Sequence, residues 1–506
     1  MERYLLGIDL GTSACKVVAV DTHGQVAAKA LAGYPLATPR PGWAEQAPED
    51  WWAATELAIQ RVLTLLPASR IIEGIGLSGQ MHGLTALDAD GRVLRPAILW
   101  CDQRAARQCD EITALAGGLA GLLEKVQNRM LPGFTAGKLL WMREKEPVRF
   151  ARIGHMLNPK DYLRLRLTGE YLTDVSEASG TGLFDVRQRT WSTSMLDLLE
   201  LPGSLLPGVV ESTELTGRLR PKLASQWGLP AGIPVFGGGG DAVIQTTSMG
   251  VVDNGMLGVT LGTAGVVAGG ARTCPTPDGS LQISCGNAPG LWHVMGVSLN
   301  AGGTFEWLRQ ALAHVGPSLE AVSYERMVDL AREAPAGSAG LLFLPYLLGE
   351  RCPHVSPRGR GSWVGLTAEH SGSHLVRSVM EGVLLNLRAI GELCQAAGLG
   401  CSELRVSGGA TSEPFWLQLL ADVTQREVVT VTAAAEGGAY GAVLAAGVGS
   451  GRWASLDEAI GSLDIASRHT PDTQLANLYR ARYETFRSLH GALSQTFEQI
   501  GAEPST

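Results

Sequence analysis

The sequence predicts an α/β protein that contains two similar domains. Two stretches half a chain apart, residues 5–20 and residues 257–268, each read as an apolar strand, a Leu-Gly-Thr turn and a second apolar strand. A pattern repeated at that distance indicates duplication of a whole domain. Both halves mix strand-type runs with segments of helical periodicity, which is typical of α/β folds. We therefore expect one domain at residues 1–245 and a second at residues 246–506.

The first hundred residues contain more strands than helices. Residues 4–32 read as an antiparallel meander of three strands, residues 51–66 have helical spacing, and residues 71–77 form another strand. The segment Gly74–Gly79 fits the dinucleotide fingerprint G-x-G-x-x-G, but that fingerprint requires a helix at its last glycine. Because more strand follows instead, a nicotinamide-dependent dehydrogenase is disfavoured.

The composition is that of an ordinary globular protein, with 45% hydrophobic and 18% charged residues among 506. A net charge of −8 without a basic block argues against binding of nucleic acid or of an anionic membrane surface. The eight cysteines show neither a Cys-x-x-Cys pair nor histidines at zinc spacing, so we expect free thiols. No signal peptide or membrane span is recognisable, and a cytoplasmic protein is expected.

The candidate for acid–base chemistry is Asp241, which follows four consecutive glycines. The apolar run 233–236, the turn Gly237–Gly240 and the helical run Ala242–Met249 read as a strand, a turn without side chains and a helix. A carboxylate at this place is either an N-cap of the helix or a base that faces a ligand lying against bare backbone. The duplicated turns favour the base.

Each copy of the duplicated turn offers donors for phosphate oxygens. The first copy carries Gly11, Thr12 and Ser13, and the second carries Gly262 and Thr263. Small residues bring backbone N–H groups and hydroxyls close together, which suits an anion. Two such turns facing across a cleft would hold a nucleotide between the halves of the chain.

Two longer segments resemble the signatures of the FGGY family of carbohydrate kinases. Residues 361–366, followed after a spacer by His374-Leu375 and residues 378–381, resemble the C-terminal signature. Residues 133–144 resemble the N-terminal signature, although Lys145 occupies a position where Glu, Gln, Asn or His is usual. The resemblance covers nearly the whole chain. It implies a duplicated actin-like, ribonuclease H-like ATPase fold of two domains with a catalytic cleft between them.

Four shorter segments resemble the ketopentose kinases of this family: residues 79–83, 95–100, 131–135 and 159–169. Glycerol kinases carry Arg-Glu where this chain has Met81-His82, so glycerol is disfavoured. The implied reaction is transfer of the γ-phosphate of ATP to a terminal hydroxyl of a ketopentose, with D-xylulose as the expected acceptor.

The resemblance also implies roles for single residues. Asp241 is expected to accept the proton of the attacking hydroxyl, and Asp9 and Asp241 are expected to hold Mg²⁺. The expected nucleotide contacts are Gly11, Thr12, Ser13, Lys16, Gly262, Thr263, Gly408, Gly409 and Ala410. The expected sugar contacts are Gln80, Met81, His82, Trp100 and Asp102. Gln80 and His82 are predicted to share one face of an extended segment, with Met81 on the other.

Structural roles remain as alternatives for several of these residues. Asp9 also suits a turn, Lys16 a solvated sheet edge, and Trp100 a place in the core. Met81 alone would usually be core packing, and the Gly408–Ala410 segment suits a plain strand-to-helix turn. Arg104 is expected as an ion-pair partner of Asp102 rather than a ligand contact.

Two positions keep the choice of acceptor open, since Ala242 and Cys101 depart from the pattern of the xylulose-phosphorylating members. Ribulose, another ketose or a sugar alcohol therefore remains an alternative. An actin-like ATPase with no sugar acceptor is a further alternative that leaves the Gln80–His82 segment unexplained. We also expect closure of the two domains around the substrates, and the family suggests a homodimer.

Overall fold

The first half of the chain alternates short strands with helices. The structure is a computed structural model that describes residues 2–253, 255–313 and 322–502. Up to Val252 the strands are β1 (Arg3–Leu10), β2 (Ala14–Val20), β3 (Val26–Gly33), β4 (Glu45–Gln46), β5 (Ile71–Gly79), β6 (Thr85–Leu87), β7 (Ala97–Ile98), β8 (His155–Leu157), β9 (Leu172–Asp174), β10 (Phe184–Asp185), β11 (Thr190–Trp191), β12 (Gly208–Val210), β13 (Leu215–Arg218), β14 (Pro234–Phe236) and β15 (Gly239–Gly240). The helices are α1 (Pro48–Leu65), α2 (Ala106–Leu115), α3 (Gly118–Val126), α4 (Thr135–Lys145), α5 (Pro147–Phe150), α6 (Pro159–Thr168), α7 (Val175–Ala178), α8 (Thr193–Leu198), α9 (Pro221–Gln226) and α10 (Asp241–Ser248).

The second half has longer helices. Its strands are β16 (Gly255–Leu261), β17 (Gly265–Ala271), β18 (Gln282–Cys285), β19 (Trp292–Ser298), β20 (Leu342–Leu344), β21 (Ser362–Val364), β22 (Cys401–Ser407), β23 (Glu427–Val431) and β24 (Ile465–His469). Its helices are α11 (Gly302–Ala313), α12 (Tyr324–Glu333), α13 (Gly372–Ala396), α14 (Pro414–Thr424), α15 (Gly438–Gly449), α16 (Leu456–Gly461) and α17 (Ala476–Ala502). None of the described helices is both long and apolar enough to cross a membrane.

The described residues divide into two compact units that are not continuous stretches of chain. The first unit contains the residues up to Val252 together with Gly270–His293 and Glu436–Leu463. The second unit contains Asp253–Gly269, Val294–Ala435 and the residues from Asp464 onwards. The domain division at residues 245 and 246 stays a prediction.

The first unit is organised around a mixed sheet in the strand order β3-β2-β1-β5-β14-β13. The meander β1-β2-β3 is antiparallel, as predicted for residues 4–32, and β1 then pairs in parallel with β5. Strand β14 is parallel to β5, and β13 is antiparallel to β14. Helix α1 packs on this meander because its apolar positions recur at helical spacing: Trp51, Ala54, Ala58, Ile59 and Val62 are all buried.

The sheet of the second unit repeats that order. Its strands run β17-β16-β22-β23-β24, with antiparallel, parallel, parallel and antiparallel pairings in turn. The same sequence of pairings joins β2, β1, β5, β14 and β13 in the first unit. The structure therefore confirms the duplication that the two Leu-Gly-Thr turns predict.

Helix α15 packs against the first sheet at glycines of both partners. A Cβ atom built on Gly7 of β1 would lie 1.9 Å from the carbonyl oxygen of Ala439, and one on Gly76 of β5 would lie 1.9 Å from that of Ala442. On the helix itself, a Cβ on Gly441 would lie 2.2 Å from the carbonyl oxygen of Ile244 in helix α10, which also packs on α15. Any side chain at these glycines forces the backbones apart, so the contact requires glycine.

Two further expectations are confirmed. No helix follows Gly79, since Met81 and His82 form bends and Leu84 pairs with Ile98, so the dinucleotide fingerprint lacks its structural context. All eight cysteines are free thiols in the structure.

Candidate active site

Asp241 is the first residue of helix α10, directly after the short strand β15. Gly240 is the N-cap of the helix, and no side chain caps it, so Asp241 does not act as the N-cap. Burial, and secondly the Asp9 carboxylate, raise the pKa of the Asp241 side chain to about 7. Backbone N–H groups of Ala242, at 2.8 Å from Oδ1, and of Met81 oppose this rise. The carboxyl group can therefore gain or lose a proton near neutral pH.

The four glycines before Asp241 are required by close neighbours. The backbone of Gly238 has a φ of +68°, and a Cβ atom there would lie 1.8 Å from the carbonyl oxygen of Leu77. A Cβ on Gly240 would lie 2.5 Å from Cγ of Met81. Residues with side chains do not fit these places, so the turn brings Asp241 against the end of β5 over bare backbone.

Asp9 lies near the end of β1 beside a hydrogen-bond donor and a helix terminus. The hydroxyl of Ser78 donates to Oδ1 of Asp9 at 2.7 Å. A Cβ on Gly438, the first residue of α15, would lie 2.8 Å from that same oxygen, so the carboxylate meets the N-terminus of this helix. Helix N-termini favour negative charge, whereas burial raises the pKa of Asp9. The first unit thus holds two electrostatically interacting carboxylates.

The turn between β1 and β2 is held from two directions. Within the turn, the N–H of Gly11 donates to the carbonyl oxygen of Ala14 at 3.0 Å. The side-chain amide of Gln46 donates to the carbonyl oxygen of Thr12 at 2.7 Å, and the indole N–H of Trp100 donates to Oγ1 of Thr12 at 3.0 Å. Such contacts fix the conformation of the turn before any ligand arrives.

Two other residues near this turn differ in exposure and charge. Ser13 is exposed at its tip. The Lys16 ammonium lies 3.5 Å from the carboxylate of Glu436, which also pairs with Lys29 at 2.6 Å. Lys16 therefore has a structural anion within its own unit, and its role toward phosphate stays a prediction.

The prediction of an extended segment at residues 80–82 is wrong. The N–H of Gly83 donates to the carbonyl oxygen of Met81 at 2.8 Å, which closes a tight turn, and His82 has a left-handed φ of +68°. Met81 is buried against Gly240. Gln80 is fully buried, and its amide donates to Oε1 of Gln46 at 3.0 Å. The segment is a turn beside Asp241 rather than a strand with two faces.

The left-handed turn at His82 is held by the N-terminal signature segment. The Lys138 ammonium donates to the carbonyl oxygens of His82 at 2.8 Å and of Gly133 at 2.6 Å, and the Thr135 hydroxyl donates to His82 O at 3.0 Å. Lys138 is fully buried, and burial lowers its pKa to about 7. The His82 ring stacks on Phe134 with centroids 4.7 Å apart. This signature therefore positions His82.

Asp102 and Trp100 occupy different environments on one loop. Asp102 is buried, accepts from the backbone N–H of Ala44 at 2.6 Å and pairs with Arg104 at 2.7 Å, as expected for that arginine. Trp100 is 45% exposed, so it is not a core residue. Cys101 lies between them, partly buried. The loop presents an indole ring to solvent and keeps its carboxylate inside.

A cavity of about 880 Å³ opens in the second unit beside the second Leu-Gly-Thr turn. Gly262 and Thr263 line one end, and Gly409 and Ala410 line another part. A Cβ on Gly409 would meet nothing within 4 Å. The lining also contains three aromatic side chains, Phe305, Tyr324 and Trp416. Its size and apolar walls suit a nucleotide-sized ligand.

Gly408 stands just outside that lining. Its φ is +100°, and a Cβ there would lie 2.4 Å from the carbonyl oxygen of Leu261. The position requires glycine for the chain to leave β22, which fits the strand-to-helix alternative as well as a nucleotide contact.

Sequence reasoning missed the start of helix α11, which also lines the cavity. The N–H of Gly302 donates to the carbonyl oxygen of Gly262 at 2.8 Å, and the N–H groups of Ala301 and Gly303 donate to that of Thr263, both at 3.1 Å. These bonds occupy the first N–H groups of α11, so the helix holds the second turn in place, and its N-terminal dipole favours negative charge nearby. The Gly302-Gly303 pair in front of an apolar periodic run was the available signal.

Sequence reasoning also missed a buried cluster around Ser176 and Asp174 that supports the turn before Asp241. The hydroxyl of Ser176 accepts from the N–H of Gly240 at 3.1 Å and donates to Oδ1 of Asp174 at 2.5 Å. Lys160 pairs with Asp174 at 2.8 Å. Both carboxyl oxygens of the buried Glu177 lack a hydrogen-bond partner among the described residues, and burial raises its pKa. The N-cap pattern at Asp174 was the only local signal for this cluster.

The C-terminal signature segment lies within the second unit. The buried Glu381 accepts from Arg377 at 2.9 Å, from Tyr479 at 2.9 Å and from the Ser338 hydroxyl at 2.8 Å. Such a satisfied buried network fixes the position of α13. In this structure the signature contributes to the core.

The candidate site of the first unit contains two carboxylates, Asp9 and Asp241, rather than a larger acidic cluster. Within the described ranges, no group of three or more His, Cys, Asp or Glu side chains is arranged to hold a metal ion. Asp9 and Asp241 offer two acidic side chains to a ligand there. Mg²⁺ sites of kinases commonly use one or two carboxylates and complete the shell with phosphate oxygens and water.

Comparison with known proteins agrees with this architecture. The profile of the FGGY family of carbohydrate kinases, N-terminal domain, matches residues 4–248, and that of the C-terminal domain matches residues 257–450. A xylulose kinase of Escherichia coli is 38% identical over 96% of this chain and 99% of its own length.

Solved structures show the same likeness. A xyloylose kinase from Brucella ovis matches with a TM-score of 0.90 and 35% identity, over 97% of this chain and 99% of that one. A gluconate kinase from Lactobacillus acidophilus matches with a TM-score of 0.92 and 27% identity, over 99% and 100%. The duplicated sheets, the glycine turns and these full-length matches agree, and the chain belongs to the FGGY family of carbohydrate kinases, enzymes that transfer a phosphoryl group from ATP to a sugar.

Proposed function

We propose that the protein transfers the γ-phosphate of ATP to the terminal hydroxyl of D-xylulose, forming D-xylulose 5-phosphate. The observation that carries this proposal is the Asp241 carboxyl group, held beside Met81 with a pKa near 7 at the start of α10. The similarity to xylulose kinases over nearly the full length supports the choice of sugar.

Asp241 is the general base of the proposed reaction. Its carboxylate accepts the proton of the sugar hydroxyl as that oxygen forms a bond to the γ-phosphorus and ADP leaves. A base with a pKa near the working pH is deprotonated in a useful fraction of molecules and still binds a proton well. The same carboxyl returns the proton to solvent after the product leaves.

Asp9, together with Asp241, would hold Mg²⁺. The fit rests on the two partly buried, mutually repelling carboxylates, whose repulsion a divalent cation relieves. When bound, the ion neutralises phosphate charge. The residues' own contribution is to place two acidic side chains at one point, with the Ser78 hydroxyl fixing the orientation of Asp9.

The nucleotide is proposed to bind along the glycine turns. Thr263 donates to phosphate oxygens, favoured by the dipole of α11, and Gly262, whose N–H is bonded to the carbonyl oxygen of Ala264, leaves the turn without a side chain. Adenine lies against Gly409 and Ala410 in the cavity of the second unit. The donors of the first turn on Thr12 and Ser13 serve the phosphoryl group that is transferred, and Gly11, whose N–H is bonded to Ala14, lets that group approach the bare backbone. Gly408 shapes the wall next to adenine, and Lys16 adds positive charge near the first turn.

The sugar is proposed to bind at the turn containing Met81 and His82, with Trp100 stacking on its carbon face. Gln80 and Asp102 are buried, so they act by holding this turn and loop, through Gln46 and Arg104 respectively.

Gluconate, a sugar acid, is an alternative acceptor to consider, because a gluconate kinase shares the fold. Gluconate would bring a carboxylate, which requires an available cation. Lys138 and Lys160, which pack against the sugar segment, are fully buried and bonded to carbonyl and carboxylate oxygens. A neutral ketose is therefore favoured over gluconate.

Three further properties belong to the proposal. The free thiols and the composition fit a cytoplasmic enzyme. A homodimer is proposed because the family resemblance suggests one. We assign sugar binding and the catalytic base to residues 1–245 and nucleotide binding to residues 246–506.

The decisive experiment measures ADP release by the purified protein with Mg²⁺ and ATP. The acceptor panel is D-xylulose, D-ribulose, other ketopentoses, sugar alcohols including glycerol, gluconate and a no-sugar control. We expect D-xylulose to give the highest kcat/KM, with Asp241→Asn slower by about 10²–10⁴-fold and the exposed Asp90→Asn unchanged as its matched control. Faster turnover with another sugar would replace xylulose, and turnover independent of sugar would overturn the kinase proposal in favour of an ATPase.

A further inference from the structure

The first glycine turn differs from an ordinary phosphate-binding turn in how Thr12 is held. Its carbonyl oxygen accepts from Nε2 of Gln46 at 2.7 Å, and its Oγ1 accepts from Nε1 of Trp100 at 3.0 Å. Oε1 of Gln46 in turn accepts from Trp51 at 2.9 Å and from Gln80 at 3.0 Å. The backbone and the side chain of Thr12 are thus each fixed by a separate partner.

The chemistry of the indole group fixes the direction of the hydrogen bond to Thr12. An indole N–H only donates, so Oγ1 of Thr12 must be the acceptor in its contact with Trp100. The single hydroxyl hydrogen of Thr12 is then left to donate elsewhere. A phosphate oxygen only accepts, and it is the group that a hydroxyl in this state suits.

Trp100 is placed to do this while its ring remains accessible. The residue is 45% exposed, although its indole N–H is engaged within the first unit. Its carbonyl oxygen packs against Gly133, where a Cβ atom would lie only 2.5 Å away, so the loop position is fixed by backbone contact. Gly133 O also accepts from Lys138, the residue that holds His82. The same loop therefore borders the proposed sugar turn and the phosphate turn.

We propose that Trp100 is a positioning residue for phosphoryl transfer: its indole N–H holds the Thr12 hydroxyl so that this hydroxyl donates to the transferred phosphoryl group. This role is distinct from stacking of the Trp100 ring on the sugar, because the ring face and the N–H edge are different parts of the side chain. It rests on the proposed kinase function.

Trp100→Phe separates the two roles, since phenylalanine keeps a ring and lacks the N–H donor. We expect kcat for the sugar-dependent reaction to fall about tenfold, the loss expected for one oriented hydrogen bond to a charged group. KM for the sugar should stay within about twofold because the stacking surface is kept. Thr12→Ser should retain activity, since it keeps the hydroxyl.

The test is a double-mutant cycle with Trp100→Phe and Thr12→Val. If Trp100 acts through Thr12, adding Trp100→Phe to the Thr12→Val enzyme changes kcat by less than about twofold. Equal tenfold losses in both backgrounds, or a rise in the sugar KM at constant kcat, would overturn the proposal. Thermal unfolding of each variant identifies any loss of fold, and Trp191→Phe, whose indole bonds to the carbonyl oxygen of Pro207, is the matched control.

Failure of this proposal is distinguishable from failure of the proposed function. If the unmodified protein shows no sugar-dependent ADP release, the kinase proposal fails before the cycle begins. If it shows sugar-dependent release and the cycle is additive, only the role of the Trp100 N–H fails.

Discussion

The ends of β1 and β16 occupy the same place in the two copies of the fold, and they differ at one residue. In the first copy, Asp9 pairs across the parallel strand with Ser78, whose hydroxyl donates to it at 2.7 Å. In the second copy, Thr260 pairs with Ser407, and their hydroxyls lie 3.2 Å apart. The duplicated framework is the same, but only the first copy carries a negative charge there.

The carboxylate suits the first copy to the chemical step, and the hydroxyl pair suits the second copy to nucleotide binding. A carboxylate at this place is suited to Mg²⁺ and repels Asp241, which raises the pKa of that base. A hydroxyl pair is neutral, and a neutral end of the strand accepts a nucleotide without adding negative charge beside its phosphates. After the duplication, one copy therefore suits catalysis and the other suits nucleotide binding.

The largest effect is expected from Asp241→Asn, which removes the base and keeps the shape of the side chain. We expect kcat to fall by about 10²–10⁴-fold in the sugar-dependent assay.

The same substitution, Asp241→Asn, should raise the stability of the folded protein. The folded-state pKa of about 7 exceeds the ordinary Asp value, so the folded protein binds this proton more tightly, and stability is lost as pH rises toward 7. The variant should therefore unfold at a higher temperature than the unmodified protein at pH 8, with a smaller difference at pH 5. An unchanged or lower unfolding temperature at pH 8 would contradict the electrostatic account of Asp241.

The matched pair Asp9→Asn and Thr260→Val tests the comparison itself. We expect Asp9→Asn to lower kcat by about a hundredfold and to raise the Mg²⁺ concentration needed for half-maximal activity, because a carboxylate binds the ion better than an amide. Thr260→Val should change kcat by less than about threefold. Similar losses in both variants would mean that the two copies do not divide chemistry from binding.

The helix start beside the second turn allows a test of nucleotide binding alone. Gly302→Val places carbon atoms against the carbonyl oxygen of Gly262, since even a Cβ there would lie 2.7 Å away. We expect KM for ATP to rise about tenfold while KM for the sugar stays within about twofold. Gly372→Ala, at an open helix position in the same unit, is the control. A rise in the sugar KM of equal size would show that the cavity does not serve the nucleotide alone.

The smallest expected difference between variants is a shift of the pH profile. At low Mg²⁺, where the repulsion by Asp9 is retained, ionisation of Asp241 near pH 7 predicts that kcat/KM for the sugar falls tenfold for each pH unit below about 6 and reaches half of its maximum near pH 7. Since Asp9 contributes to this shift, the Asp9→Asn variant should reach half-maximum at a lower pH. A profile that is flat from pH 5 to 8 would contradict assignment of Asp241 as the base.

Much of the framework could be predicted from the sequence, because local patterns determine it. Glycine runs, Leu-Gly-Thr turns and strand periodicity indicated the duplication and the position of Asp241. The contacts that hold the site could not be predicted, because they join residues far apart in the chain. Gln46 is an ordinary polar residue until the fold brings it against Thr12, and the turn at His82 depends on a lysine 56 positions later. The extended segment was wrongly predicted for this reason: a tertiary hydrogen bond determined its conformation.

Helix α15 has a consequence for synthesis of the chain on the ribosome. The helix covers one face of β1 and β5, yet its last residue, Gly449, follows Val252 by roughly 200 residues. At about 5–20 residues per second, translation of that stretch takes about 10–40 s. During this time the first unit of a nascent chain carries an uncovered apolar sheet face, which chaperones bind and which favours aggregation. A fragment that ends at Val252 would remain in that vulnerable state permanently.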